Sequence, residues 1–71
     1  MSQELRKTLA TNVNNLREKA HLKREQLSLL LDFDNSYISK LEKGKINITL
    51  DKLGQLAVFF NVSIMDLFKQ P

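Results

Sequence analysis

An all-α fold of five short helices is predicted for this chain, and three observations predict it. Apolar residues recur at three- and four-residue intervals, Ser, Thr or Asp stands ahead of several of these runs, and only Gly44, Gly54 and Pro71 punctuate them. With 71 residues, 42% of them apolar and 27% charged, and no linker or repeat, the chain fits a single compact domain over residues 1–71. No Cys is present, so stability must come from a small core or an oligomer, without disulfides.

Each element has its own signature. Leu5, Leu9, Val13, Leu16 and Ala20 lie on one stripe of a first helix of about five turns. A turn at His21-Leu22 follows, and Leu27, Leu30 and Leu31 mark a second helix from about Arg24, broken by Asp32-Phe33-Asp34. Asp34 is placed to cap a third, mostly polar helix that carries Ile38 and Leu41 and stops at Gly44 in the left-handed position. Lys45 to Ile48 form a loop. Thr49 caps a fourth helix with Leu50, Leu53, Leu56, Ala57 and Phe60, closed by Asn61. Ser63-x-x-Asp66 resembles a capping box and opens a last short helix with Leu67 and Phe68.

Composition narrows the function. A lone histidine, His21, cannot build a multi-histidine metal site and reads as a solvated turn residue; thiolate ligands, Gly-rich phosphate loops and nucleophile elbows are absent. Glu4, Glu18, Glu25, Asp51 and Asp66 are scattered over separate helices, with no paired acid–base arrangement. The longest apolar run, Leu56 to Phe60, falls far short of the ~18 residues of a membrane span. Residues 1–7 carry charge where an export signal is apolar, which points to a cytoplasmic protein. A binding protein with no cofactor, no metal and no small-molecule pocket is the expectation, and the formal net charge of +3 matters only if it gathers on one face.

Two short helices joined by Asp32-Phe33-Asp34 form a helix-turn-helix candidate. Ile38 and Leu41 anchor its second helix, and Asn35, Ser36, Ser39 and Lys40 project outward as short polar groups suited to base edges in a major groove. Spacing alone reads equally well as an ordinary solvated helix face.

The stretch Lys23-Arg24-Glu25-Gln26-Leu27-Ser28 and the run Asn35-Ser36-Tyr37-Ile38-Ser39-Lys40-Leu41-Glu42-Lys43-Gly44 resemble the phage repressor and Cro-type, or XRE, helix-turn-helix family. The resemblance extends from Leu9 to Phe68 and takes in Leu16-Arg17 and Val62-Ser63-Ile64-Met65-Asp66-Leu67-Phe68. It implies a compact five-helix, lambda-repressor-like domain of bacterial or phage origin, nucleoid-associated, regulating transcription as a homodimer on a palindromic operator. By position, it implies that Asn35, Ser36, Ser39 and Lys40 read bases and that Lys23, Arg24, Lys43, Lys45 and Asn47 hold phosphates. Tyr37 is expected to combine packing with a phosphate contact, and the resemblance implies that Arg17 and Glu42 form a structural ion pair between the first and third helices.

Several residues depart from the family pattern. Asp32 stands where Gly or Asn is frequent in the turn, and Lys23 replaces the usual Ser or Thr cap before the second helix. Asp34 brings a carboxylate close to the presumed DNA surface, Ile48 takes the place of a common proline, and Gly54 costs about 1 kcal/mol within a helix unless another backbone packs there. Val58, Phe59, Ile64 and Met65 lie off the core stripes and form either a dimer seam or part of a wider core. An antitoxin or another protein-interaction module of the same fold is the rival reading, with a protein as main partner and Asp32 and Asp34 as its support.

Overall fold

The computed structural model describes residues 1–71. It contains four α-helices, α1 (Gln3–Lys19), α2 (Arg24–Leu30), α3 (Tyr37–Glu42) and α4 (Leu50–Phe60), and ends in a 3₁₀ turn at Met65–Phe68. α1 packs against α3 and the 3₁₀ turn, and α2 packs against α3. No helix is long and apolar enough to cross a membrane.

The core draws on every element: Leu9 and Val13 from α1, Leu27 from α2, Ile38 and Leu41 from α3, Leu56 from α4 and Leu67 from the last turn are all buried. Burying a Val, Leu or Ile side chain contributes roughly 1.5–3 kcal/mol. Ile48, from the loop where a proline was the family's usual residue, tucks into the same core.

Four stripe assignments are corrected, the first being Ala20, which is exposed just past the end of α1. Leu30 and Leu50 are exposed, at 59% and 72%, and Leu5 is also on the surface. In α2 the inward face runs through Leu27, Ser28 and Leu31, and Leu30 stands about 100° away from it at 3.6 residues per turn. Leu50 is the first residue of α4, where the stripe starts only at Leu53.

The fifth helix is also corrected, to a 3₁₀ turn. Ser63 and Asp66 do form a capping box: the Asp66 N–H donates to Ser63 Oγ at 3.1 Å and the Ser63 N–H to Asp66 Oδ2 at 2.9 Å. The backbone bonds behind it, Asp66 to Ser63 and Leu67 to Ile64, each join residues three apart, the 3₁₀ pattern. Beyond them, the carbonyls of Leu67 and Lys69 accept from the Asn12 amide at 2.7 and 2.8 Å, so the chain is tied to α1 before another turn can wind.

All four α-helices end in the same way. His21, Asp32, Gly44 and Asn61 have φ of 58°, 60°, 71° and 55°. At each, the following residue donates back across the last turn: Leu22 to Arg17, Phe33 to Ser28, Lys45 to Lys40 and Val62 to Ala57. These are Schellman closures, which satisfy carbonyls that a helix end would otherwise leave open. Gly54 is different. A Cβ built there meets nothing within 4 Å, so no packing within the chain requires the glycine.

The start of α3 departs from the reading in which Asp34 caps it. The linker occupies residues 31–36, the helix begins at Tyr37, and no side chain from within the linker caps it. The Asp34 carbonyl, not its carboxylate, accepts from the Tyr37 N–H at 2.9 Å. Asn35 and Ser36 therefore stand on a turn ahead of the helix. At α2 the missing Ser or Thr cap is partly replaced, because the Gln26 side-chain oxygen accepts from the Lys23 N–H at 2.8 Å.

Candidate nucleic-acid interface

Side chains from other helices hold both ends of α3. At its start Ser28, fully buried on α2, accepts through Oγ from the Ile38 N–H at 3.2 Å. That bond supplies from across the core the cap that the linker does not provide. At its end the Glu42 carboxylate receives two arginines: Arg17 Nε donates to Oε2 at 2.8 Å and Arg24 Nε to Oε1 at 2.9 Å. Arg17 also donates to Glu42 Oε1, to the Leu22 carbonyl and to Asn14 Oδ1.

A guanidinium with all these acceptors is anchored in a single geometry. The hydrogen bond to Glu42 raises the Arg17 pKa further, against the opposing effect of burial, so the cation is permanent. Helices α1, α2 and α3 meet at this one carboxylate, which orients α3 as part of a rigid unit.

Asn35, Ser36 and Lys40 are exposed on the outer side of this unit, and Ser39 is half-buried between them. A wholly polar cleft of about 670 Å³ separates Asn35, Ser36 and Ser39 from Lys23 and Arg24 at the start of α2. On the other flank, Lys43 and Lys45 are exposed just past the end of α3, with Asn47 next in the loop. Arg24 divides its role, since its Nε is engaged by Glu42 while the side chain remains half exposed.

Tyr37 is nearly buried, its ring edge-on to Phe33 at 4.9 Å, and that burial raises its pKa so that the hydroxyl remains protonated. Val58 and Met65 are wide open to solvent, Phe59 is at the edge of exposure, and Ile64 leans against the core.

Sequence reasoning missed several contributors. Ser28 belongs to the stretch that carries the resemblance but had no role there, Asn14 carries no motif, and both roles depend on which group lies opposite. Arg6 donates through Nη1 to Asn47 Oδ1 at 3.0 Å, a link between residues 41 positions apart that no local pattern signals. Lys52 lies over the Tyr37 ring at 4.3 Å and over Phe33 at 5.3 Å.

A short polar-faced helix, clamped at both ends over a partner helix and flanked by cations, defines a helix-turn-helix DNA-binding domain of the kind that regulates transcription. The chain belongs to the Helix-turn-helix family, whose model matches residues 13–67. Among curated proteins it is 31% identical over 52 residues to the control protein C.MunI of a Mycoplasma species, spanning 73% of this chain and 70% of that one. It is 33% identical over 64 residues to the HTH-type transcriptional regulator y4dJ of Sinorhizobium fredii, spanning 90% and 83%. Among solved structures, the hypothetical transcription factor NHTF from Neisseria superposes with a TM-score of 0.89 at 26% identity, over all of this chain and 83% of that one. The restriction-modification controller protein C.AhdI from Aeromonas hydrophila superposes with a TM-score of 0.80 at 27% identity, over 89% and 96%.

Proposed function

We infer that this chain is a transcriptional regulator, of the repressor or restriction-modification controller kind, that binds a palindromic operator as a homodimer. α3 and the turn before it enter the major groove. Asn35, Ser36, Ser39 and Lys40 meet base edges there, asparagine suited to adenine and lysine to guanine O6 or N7. Lys23, Arg24, Lys43, Lys45 and Asn47 hold phosphates on either side, and the Tyr37 hydroxyl reaches another.

The observation that carries this reading is the Glu42 junction. A carboxylate 5% exposed and shared by Arg17 and Arg24 aims the helix and keeps its hydrophilic side clear of the protein's own chain. The control and controller proteins among its relatives supply the regulatory context. One four-residue reader specifies too few base pairs to select a site among roughly 10⁶ competitors, which favours two copies on a two-fold site with half-sites ~10 base pairs apart.

The test is selection of binding sequences from a random duplex pool, followed by titration at two salt concentrations. Enrichment of an inverted repeat is the expected result; a pool that stays random overturns the reading. In that event the protein-docking alternative takes over, and the observation in its favour is the exposure of Asp32 and Asp34, neither in an ion pair, beside the presumed reading surface.

A further inference from the structure

We propose that the cleft between the start of α3 and the start of α4 is a phosphate-binding site for the DNA backbone, in which Lys52 supplies the charge and Tyr37 and Asn47 supply hydrogen bonds. The inference rests on the DNA-binding reading and adds Lys52, a residue that neither the sequence pattern nor the family resemblance assigns.

Three groups that line this cleft of about 280 Å³ carry donors that no group of the chain accepts. The first is Tyr37. Its ring is buried, while its hydroxyl makes no hydrogen bond within the chain and opens toward the cleft that the residue lines.

The second is Lys52. Its ammonium sits 4.3 Å from the centroid of the Tyr37 ring and 5.3 Å from that of Phe33, and no carboxylate pairs with it. The two ring faces hold the cation at the cleft wall, so little side-chain freedom remains to be lost when an anion arrives.

The third is Asn47. Arg6 has only donors to offer, so its bond of 3.0 Å takes the Asn47 side-chain oxygen and leaves the amide N–H groups as the free end. Asn47 thus faces the cleft as a donor. Thr49 Oγ1 is already engaged by the Lys52 N–H at 3.2 Å and fixes the first turn of α4 beneath the ammonium.

A neutral hydroxyl, an amide and a cation, all able to donate, suit an anion with several acceptor oxygens. Lys40 lines the same cleft and adds a second cation, and Asp34 lines it as the one opposing carboxylate. A phosphate bound here would lie on the α4 side of α3, opposite the cations at the start of α2, so the duplex backbone would be gripped on both sides of the reading helix.

The experiment uses the full chain with a selected operator duplex and a random duplex, each titrated across a salt series. Lys52→Gln is expected to weaken both duplexes alike, by roughly 3- to 10-fold at low salt, and to reduce the slope of log K against log salt by ~1. Tyr37→Phe is expected to weaken both with the slope unchanged, and Asp34→Asn to strengthen both. Lys52→Arg keeps the cation and is expected to retain the wild-type slope, which guards against a loss that reflects only disturbed packing over Tyr37. An unchanged slope for Lys52→Gln, or a loss confined to one operator position, overturns the phosphate site and leaves the DNA-binding reading standing. A wild-type chain that binds no duplex overturns both.

Discussion

Left-handed backbone at four positions ends the four α-helices, and only one of those positions is a glycine. An L-residue in that region costs roughly 1–2 kcal/mol, eased for Asn and Asp by their short polar side chains. Asn61 and Gly44 were legible as helix ends because both residue types announce the conformation. Asp32 was legible as a departure from the family's Gly or Asn, and its φ of 60° shows that the turn keeps its shape despite the substitution. His21 gave no signal, because its φ of 58° follows from the closure of α1 and nothing in an imidazole calls for it. Asp32→Gly is therefore expected to stabilise the fold by about 1 kcal/mol, seen as a rise in Tm of about 4–8 °C. Arg17→Ala acts in the opposite sense. It leaves the buried Glu42 carboxylate with Arg24 as its one remaining cation and frees the Leu22 carbonyl and Asn14, a loss of about 3 kcal/mol, at the low end for broken buried pairs. A domain of this size has roughly 4–11 kcal/mol in total, so denaturant titration should show the unfolding midpoint well below that of the wild type.

At the level of elements, the four α-helices and most of their ends were legible, and the start of α3 was not. Periodicity located the helices because their buried faces repeat, but the start of α3 depends on Ser28, ten residues upstream and on another helix, which no local pattern contains. For the same reason Asp34 looked like a cap. The carboxylate at Asp66, by contrast, was read correctly as half of a capping box. Lys69 Nζ at 2.7 Å and the Ser63 N–H and hydroxyl hold its pKa down at about 2. Because the folded value lies below the unfolded one, this stabilisation is complete above about pH 4 and is lost as pH falls toward 2. The protection of the C-terminal turn's amides, measured as exchange relative to an unstructured chain at the same pH, should fall over that window in the wild type, whereas in Asp66→Asn it should change little. Gly54 makes a cleaner case. With open space where a Cβ would sit, Gly54→Ala is expected to stabilise α4 by about 1 kcal/mol, measured as an increase in Tm.

For the whole molecule, the unexplained feature is apolar surface. Val58 and Met65 are 82% and 76% exposed, and beside Val58 an apolar groove of about 570 Å³ runs between Leu30, Leu31 and Phe59. A 71-residue chain gains nothing from such a surface in isolation. Exposed positions were legible only in part: Val58 and Met65 stood off the core stripes, whereas Leu50 has the chemistry of Leu53, and only the rotation of α4 against the core separates those two. The proposed dimer assigns the surface a purpose, since a two-fold pairing through Val58, Phe59, Ile64 and Met65 would cover apolar area while presenting two reading helices to one face of a duplex. Val58→Glu is the discriminating variant, because a side chain so far from the core leaves folding intact while placing two carboxylates together at the seam. Sedimentation is expected to show a folded monomer, and operator affinity is expected to fall without a change in the preferred half-site, because α3 is untouched. A Val58→Glu chain that remains dimeric would move the seam to the other exposed leucines, Leu29 and Leu30 at the end of α2, where the two reading helices would be set at a different spacing and the selected operator would show a correspondingly different separation of half-sites.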